Sequence, residues 1–378
     1  MKVSIITSFP FPDGKATANR IMVFAEELIK STKIDYVEIF CSSNGPSRSY
    51  LLNDALRVTS IKFNVINKNR LVIRAIYELS LAFRLFRVAR QSKFDLTIVT
   101  VPSILLLVPI ILNLKRNFIA LDLRDAIWTY FNVGFFSRIV GKLIARLFSV
   151  AARNSQIISV TNVSECQAVK EITGRSPLVV ANGISQAKLD NMQSLRPPMQ
   201  CDHITLAYIG NVGIAQNLEQ LIDYSKKIPD LQIKIIGDGA RLEDLKQKSV
   251  TEDLKNVFFT GFVNPCEIGK HIETADILFA QIGSDYRTAI PTKVFEYIAS
   301  GRKVLLGLPN GPARKIFSKF NGVVIFDVGV RESFLKSYDR LKNLHYSDLD
   351  RKKDIAHLSE NYLRESSAKS FVRAIERL

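Results

Sequence analysis

Short β-branched and apolar runs alternate with amphipathic stretches along most of this chain, and the alternation stops once and then restarts. Runs of strand character stand at 3–8, 36–40, 58–63, 96–101, 118–123 and 157–161, separated by helix-like stretches near 17–31, 70–91, 134–152 and 163–173. The break falls at Arg196-Pro197-Pro198-Met199-Gln200, whose paired prolines continue neither helix nor sheet. Runs then resume at 203–209, 232–236, 257–260, 277–280, 304–306 and 323–326, with helix-like stretches near 214–228, 240–249, 266–273, 291–300, 311–318 and 331–344. Strand–helix alternation of this kind implies a parallel doubly wound sheet, because a parallel connection needs a crossover and a helix supplies it. At 378 residues the chain exceeds the size at which one core normally divides. The expectation is two α/β domains, 1–198 and 199–350, followed by a polar helical segment at 351–378.

Composition narrows the partners. The four cysteines, Cys41, Cys166, Cys201 and Cys266, stand far apart without metal or redox spacing and read as small buried hydrophobes in a reducing compartment. The start Met1-Lys2-Val3-Ser4-Ile5-Ile6-Thr7 reads as a first strand, not a secretory signal, since its apolar stretch is short and ends in Pro10 and Pro12. A cytoplasmic protein is expected.

The formal net charge of +16 is lopsided: residues 1–200 hold 26 Lys+Arg against 13 Asp+Glu, and the remainder 26 against 23. Two segments, near 70–91 and 135–148, interleave cations with large apolar residues at helical spacing, as helices lying in an anionic membrane surface do. Arg84, Arg87, Arg138 and Lys142 are the membrane-binding candidates, with Phe83, Phe86, Phe135, Phe136 and Phe148 as apolar anchors if they face outward. A core-facing helix with a solvated basic edge is the other reading. The apolar run 104–112 is far short of the ~20 residues that span a bilayer, and reads as buried or dipping into one leaflet.

The stretch Ala289 to Leu305 carries the chemistry. Pro291 suits a helix start, Lys293 and Glu296 lie three apart on one face of its first turns, and Gly301 stops it before a short apolar strand. A cation at a helix N-terminus favours an anion, and a neighbouring carboxylate accepts hydrogen bonds from two adjacent hydroxyls. A sugar nucleotide offers both: phosphate to Lys293, ribose to Glu296. An ordinary amphipathic helix with a Lys–Glu pair has the same pattern.

This segment resembles the donor-site helix of family 4 glycosyltransferases, retaining enzymes of GT-B fold, and is most similar to the branch that builds bacterial capsule and O-antigen, the fucosamine-transferase-like members included. The resemblance continues in order through Tyr208-Ile209-Gly210-Asn211-Val212-Gly213, Ala215-Gln216-Asn217-Leu218, Ile235-Ile236-Gly237-Asp238-Gly239, Phe259-Thr260-Gly261-Phe262-Val263 and Ala275-Asp276-Ile277-Leu278. It implies two Rossmann-like parallel-sheet domains facing a central cleft, with the C-terminal helices packing near the domain junction. It implies a donor site of Gly14, Asn182, Gly210, Asn211, Gly213, Gln216, Gly237, Phe262, Val263, Pro291, Thr292, Lys293 and Glu296.

In the first half, Gly14 sits in a loop opening a helix, where a backbone can approach a phosphate or an acceptor sugar. That loop lacks the GxGxxG fingerprint, which argues against a nicotinamide enzyme. Asp122-Leu123-Arg124-Asp125-Ala126-Ile127-Trp128 resembles the family's Arg-Asp-x-x-Trp segment. By that resemblance Asp125 contacts donor-sugar hydroxyls and Arg124 faces the diphosphate or acceptor, while Trp128 stacks on a sugar or fills the core. Asn182-Gly183 resembles the family's cleft turn.

Two positions depart from the family pattern. Ala215, Gln216 and Asn217 replace the usual basic pair, leaving Lys293 or Arg287 to compensate, and Thr288 replaces the first carboxylate of E-x₇-E. The reading is a metal-independent, retaining glycosyltransferase that moves a sugar from a UDP-sugar to a lipid-linked saccharide acceptor at the inner leaflet, with Arg124, Asp125 and Lys293 as catalytic residues. No nucleic acid partner is expected, since no RNA- or DNA-binding motif accompanies the charge. A sugar-nucleotide 2-epimerase of the same fold is the enzymatic alternative, and a basic nucleic-acid-binding protein the non-enzymatic one.

Overall fold

Predominantly apolar runs become the interior strands of two sheets. The computed structural model describes residues 1–12, 16–63, 71–101, 103–112, 117–131, 134–197, 203–226, 228 and 231–378. Gly14, Cys201 and the prolyl break beyond Pro197 lie outside the described residues. The chain divides into two units: Met1–Asn182 with Arg364–Leu378, and Gly183–Leu363. The first division thus comes earlier in the chain than the double proline, and the last residues belong with the first unit.

The first unit begins β1 (Lys2–Pro10), α1 (Ala16–Ile29), β2 (Tyr36–Ser43), β3 (Arg48–Asn53), β4 (Leu56–Lys62), α2 (Leu71–Ala89), β5 (Leu96–Val101). It continues α3 (Leu107–Ile111), β6 (Phe118–Leu123), α4 (Phe135–Arg153), β7 (Ile157–Val160), α5 (Val163–Thr173) and β8 (Leu178–Val179). Strand order is β3-β4-β2-β1-β5-β6-β7-β8, parallel except for the antiparallel edge pair β3–β4. β5 is buried on both faces, as a central parallel strand covered by helices must be. The apolar run at 104–112 forms a 3-10 turn and α3, with Leu106, Leu107, Pro109 and Ile110 in the core. Among the described residues no helix is long and apolar enough to cross a membrane.

The second unit comprises α6 (Gln186–Gln193), β9 (Ile204–Ile209), α7 (Leu218–Ser225), β10 (Leu231–Ile236), α8 (Leu242–Thr251), β11 (Val257–Gly261), α9 (Ile268–Glu273), β12 (Ile277–Gln281) and α10 (Lys293–Ala299). It ends with β13 (Lys303–Leu308), α11 (Pro312–Phe317), β14 (Val323–Asp327), α12 (Arg331–Lys342) and α13 (Asp348–Asn361). The sheet is parallel, in the order β11-β10-β9-β12-β13-β14. Helix α14 (Arg364–Ile375) then returns to the first unit, where Phe371 packs on Phe24 of α1 with ring centroids 4.8 Å apart. Burying side chains of this size contributes about 1.5–3 kcal/mol each, which is what ties the chain's end to its beginning.

Helices α2 and α4 do not present all the apolar anchors expected of them. Phe86 and Phe148 are core residues, and Phe148 packs against Trp128 with centroids 5.1 Å apart. Trp128 is itself only 8% exposed, so it fills the core and offers no open face to a sugar.

Candidate active site

In open α/β sheets ligands collect outside the carboxyl ends of the strands, at the point where strand order reverses. In the second unit that point lies between β9 and β12. Tyr208, near the end of β9, has a fully buried side chain, and its hydroxyl donates to the Asn211 carbonyl at 2.6 Å. Lys293, the first residue of α10, lays its ammonium over the Tyr208 ring, 4.1 Å from the centroid, and donates to Tyr208 Oη at 2.8 Å. The Tyr297 hydroxyl fastens the same helix to the strand end: it accepts from Ile209 N and donates to Ile209 O, each at 3.0 Å. The lysine is therefore held by a rigid frame.

Burial lowers the Lys293 ammonium from its ordinary value to about 7, with the Glu296 carboxylate opposing. A half-buried ammonium whose hydrogen bond goes to a neutral hydroxyl is poised to gain from an arriving anion. Gly210 makes the geometry possible. Its φ of 140° lies outside the range of ordinary side chains, and a methyl group there would overlap the Lys293 ammonium. Gly237, at φ 138°, stacks directly on the Gly210 carbonyl and brings the β10 loop against the β9 loop.

Lys293 and Glu296 diverge. Glu296 turns toward Lys188 of α6, 3.7 Å away, and is 29% exposed at the side chain. A contact this long and wet is worth at most about 1 kcal/mol, so Glu296 remains available to hydroxyl donors. Pro291 and Thr292 form the turn into α10, their carbonyls accepting from Val294 N and Phe295 N. Gly213 N donates to Gln216 Oε1 at 3.2 Å, and Asn211 is exposed. The buried Gln281 of β12 grips the 214–217 turn through Gln216 O and Asn217 O, at 3.3 and 3.1 Å. Phe262 is 78% exposed and Val263 half-buried just beyond β11, with β10 between that strand and β9.

The first unit holds a second group of charges. Asp122, fully buried at the end of β6, takes a bidentate contact from Arg20 of α1, Nη2 to Oδ1 at 2.7 Å and Nε to Oδ2 at 3.1 Å, and a 2.8 Å bond from Ser159. Burial would raise this carboxyl, but the Arg20 guanidinium prevails and holds it below the usual range. Arg20 also donates to Val180 O and to Asn182 Oδ1, at 2.9 and 3.2 Å, which fixes the Asn182 side chain.

Arg124 comes next, and its Nε and Nη1 are buried with no hydrogen-bond partner among the described residues. Burial, with Arg20 repelling, lowers it to about 10. Asp125 beside it is raised by burial against the pull of Arg124 and of Tyr130, whose hydroxyl stands 3.3 Å away. Buried Glu165 is raised to about 8 by desolvation while it accepts from Thr161 N and Oγ1, at 2.8 and 2.7 Å, so it closes the start of α5.

Sequence reasoning assigned no role to Tyr208, Lys188, Arg20 or Glu165. Only the costly carboxylate Asp122, written next to Arg124 and Asp125, signalled that a further cation had to be near.

Residues 197–356 match the model of the family described as glycosyl transferases group 1. The chain carries a glycosyltransferase domain. Its enzyme class is accordingly that of a glycosyltransferase. Solved structures share the whole architecture at low identity. Sucrose-phosphate synthase from Thermosynechococcus elongatus superimposes with a TM-score of 0.77 at 13% identity, covering 100% of this chain and 98% of its own. HepE of Anabaena, solved in complex with UDP and glucose, gives 0.71 at 11%, covering 100% of both chains. The lipopolysaccharide outer core galactosyltransferase WaaB, in its apo form, gives 0.66 at 15%, again covering 100% of both. At such identities the likeness shows the fold, which is GT-B. No curated protein matches the sequence.

Proposed function

We propose that this glycosyltransferase moves a sugar, with retention of configuration, from a UDP-sugar to a lipid-linked saccharide acceptor in bacterial surface polysaccharide synthesis. The observation that carries the reading is the half-buried Lys293 ammonium held over Tyr208 and against Gly210 at the switch point, with Glu296 free of any strong ion pair. A diphosphate fits the first group and a ribose the second. Among the similar structures, HepE is described with UDP and glucose and WaaB as a lipopolysaccharide galactosyltransferase, which agrees in chemistry and in acceptor class.

Transfer builds charge on the departing diphosphate and oxocarbenium character on the sugar. Lys293 meets the first, and one oriented charge of this kind is worth about 3–4 kcal/mol. Arg124, with two buried N–H groups unused, is the first unit's candidate for an anionic group of donor or acceptor, and Asp125 its candidate for sugar hydroxyls.

Metal independence is part of the proposal. The literal Asp348-Leu349-Asp350 triplet is committed to starting α13: Asp350 accepts from Ser347 N and Oγ, and Asp348 pairs with Arg351 at 3.1 Å.

Membrane attachment is assigned to α4. Phe135, Phe136, Ile139, Val140 and Leu143 are exposed beside Arg138, Lys142 and Arg146. Arg84 and Arg87 of α2 are also exposed, but that helix turns Leu81, Leu85 and Phe86 into the core. The test is incubation with UDP-, GDP- and ADP-sugars, lipid-linked acceptor and chelator. A product from a UDP-sugar with the donor's anomeric configuration supports the proposal; inversion, or activity that only manganese restores, refutes it.

A further inference from the structure

The second sheet has another concavity at the edge opposite to Lys293, where charged side chains surround a largely apolar lining. A cavity of about 250 Å³ opens where β9, β12 and β13 begin, bordered by Ile204, Ile277 and Lys303. This is somewhat below the ~300–1,000 Å³ of pockets for drug-sized ligands. Four cations line it, Arg302, Lys303, Lys342 and Arg351, against the single carboxylate of Asp276. That carboxylate is already engaged, accepting from Thr205 N at 2.8 Å.

Backbone carbonyls hold Arg302 and Lys303, and Asp348 pairs with Arg351. Arg302 is 4% exposed and anchored through Nε to Ile272 O at 3.1 Å and through Nη2 to Arg196 O. The Lys303 ammonium donates to Leu341 O and Lys342 O at the end of α12, at 3.1 and 3.2 Å. Arg351 lies over the Tyr346 ring, 5.5 Å from its centroid, with Nη1 on Asp348 and a buried Nε that has no partner among the described residues. Burial, reinforced by Arg351, lowers Arg302; burial and Arg351 also lower Lys303, with Asp276 opposing. Like charges converging on one cavity raise the local potential for anions, and a partly desolvated guanidinium matches a phosphate geometrically.

We propose that this pocket is a second anion site, separate from the donor site, that binds a small phosphate-bearing molecule between Arg351, Lys342 and Lys303. The inference does not depend on the donor-site reading. Its occupant neutralises the cation cluster and so stabilises the second unit.

The probes are inorganic phosphate and pyrophosphate, compared with chloride at equal ionic strength in thermal unfolding of the full chain. Phosphate at about ten times its Kd should raise Tm by about 2–5 °C in the wild type and in Lys293→Gln. The shift should vanish in Arg351→Gln/Lys342→Gln, and Arg351→Lys should restore part of it. Because Lys342 is exposed, Lys342→Gln alone keeps the fold and should weaken phosphate binding about 3–10-fold by direct titration. Vesicles containing phosphatidate should bind Lys342→Gln as well as wild type if the source is soluble; selective loss would assign the same pocket to a lipid headgroup. A phosphate shift abolished by Lys293→Gln and untouched by Arg351→Gln/Lys342→Gln, or no shift at all, overturns the proposal.

Discussion

The Lys293 ammonium stands 2.8 Å from Tyr208 Oη and 4.1 Å above the same ring, joining the start of α10 to the end of β9. On the proposed reading this lysine belongs to the donor site, and burial lowers its ammonium to about 7. A diphosphate bound there, as proposed, would favour the charged form. Above pH 7 the free protein has lost the proton and the complex keeps it, so UDP binding takes up a proton and affinity falls as pH rises, at most tenfold per unit. Calorimetric titration in buffers of different ionisation enthalpy should show that uptake near pH 8, and Lys293→Gln should abolish it. The same lysine works against the fold. In the unfolded chain it keeps its ordinary value of 10.5, so wild-type stability gains from rising pH between about 7 and 10.5, and Lys293→Met should remove that gain.

Gly210→Ala should be more damaging than an alanine in a loop usually is. The residue combines φ 140° with an approach that leaves no room for Cβ beside Lys293. Backbone strain of about 1–3 kcal/mol, read from urea unfolding, should accompany loss of UDP binding. Full UDP affinity in this variant would mean that the lysine is not confined as described.

Arg124→Met separates stability from function in the first unit. Replacing a buried, under-bonded guanidinium by an apolar side chain of similar length should leave Tm unchanged or raised. Activity should fall about 100-fold or more if an anion of donor or acceptor binds there. Parallel loss of Tm and activity would make Arg124 a structural residue.

Helix α4 predicts a two-component membrane affinity. Exposed Arg138, Lys142 and Arg146 contribute about 1 kcal/mol each near an anionic leaflet, screened by salt, while Phe135 and Phe136 add a salt-resistant apolar part. The protein should pellet with anionic vesicles and be only partly released by high salt. Phe135→Ser/Phe136→Ser should make release complete and reduce transfer to a lipid-linked acceptor more than to a soluble analogue. Equal losses on both acceptors would remove the membrane from the account.

What the sequence reveals is what local pattern encodes. The runs at 96–101 and 118–123 coincide with β5 and β6 because strands buried on both faces are mostly apolar and β-branched. β3 escapes notice because it is an exposed antiparallel edge without an apolar alternation. α6 escapes because only Leu189 and Met192 are buried in a short polar helix. The helix that carries Lys293 and Glu296 is legible from spacing, but the residues these two side chains meet are not. Tyr208 lies 85 residues from Lys293, and Asp122 lies 102 residues from Arg20. Such pairs are made by the crossover topology, which brings the carboxyl ends of distant strands together. Which aromatic side chains of an amphipathic basic helix face outward is likewise decided by packing, and Phe86 and Phe148 went to the core.

The central claim is that Lys293 holds the donor's diphosphate while Glu296 holds its ribose. Titrating UDP and uridine into wild type, Lys293→Gln and Glu296→Ala tests it most directly. A charge-assisted bond contributes about 1.5–3 kcal/mol, so UDP should bind wild type about 10–100-fold more tightly than uridine. Lys293→Gln should collapse that ratio with uridine affinity intact, and Glu296→Ala should weaken both ligands together while Tm stays within a few degrees. Equal affinity of wild type for UDP and uridine, or unchanged binding of both in Glu296→Ala, would contradict the account.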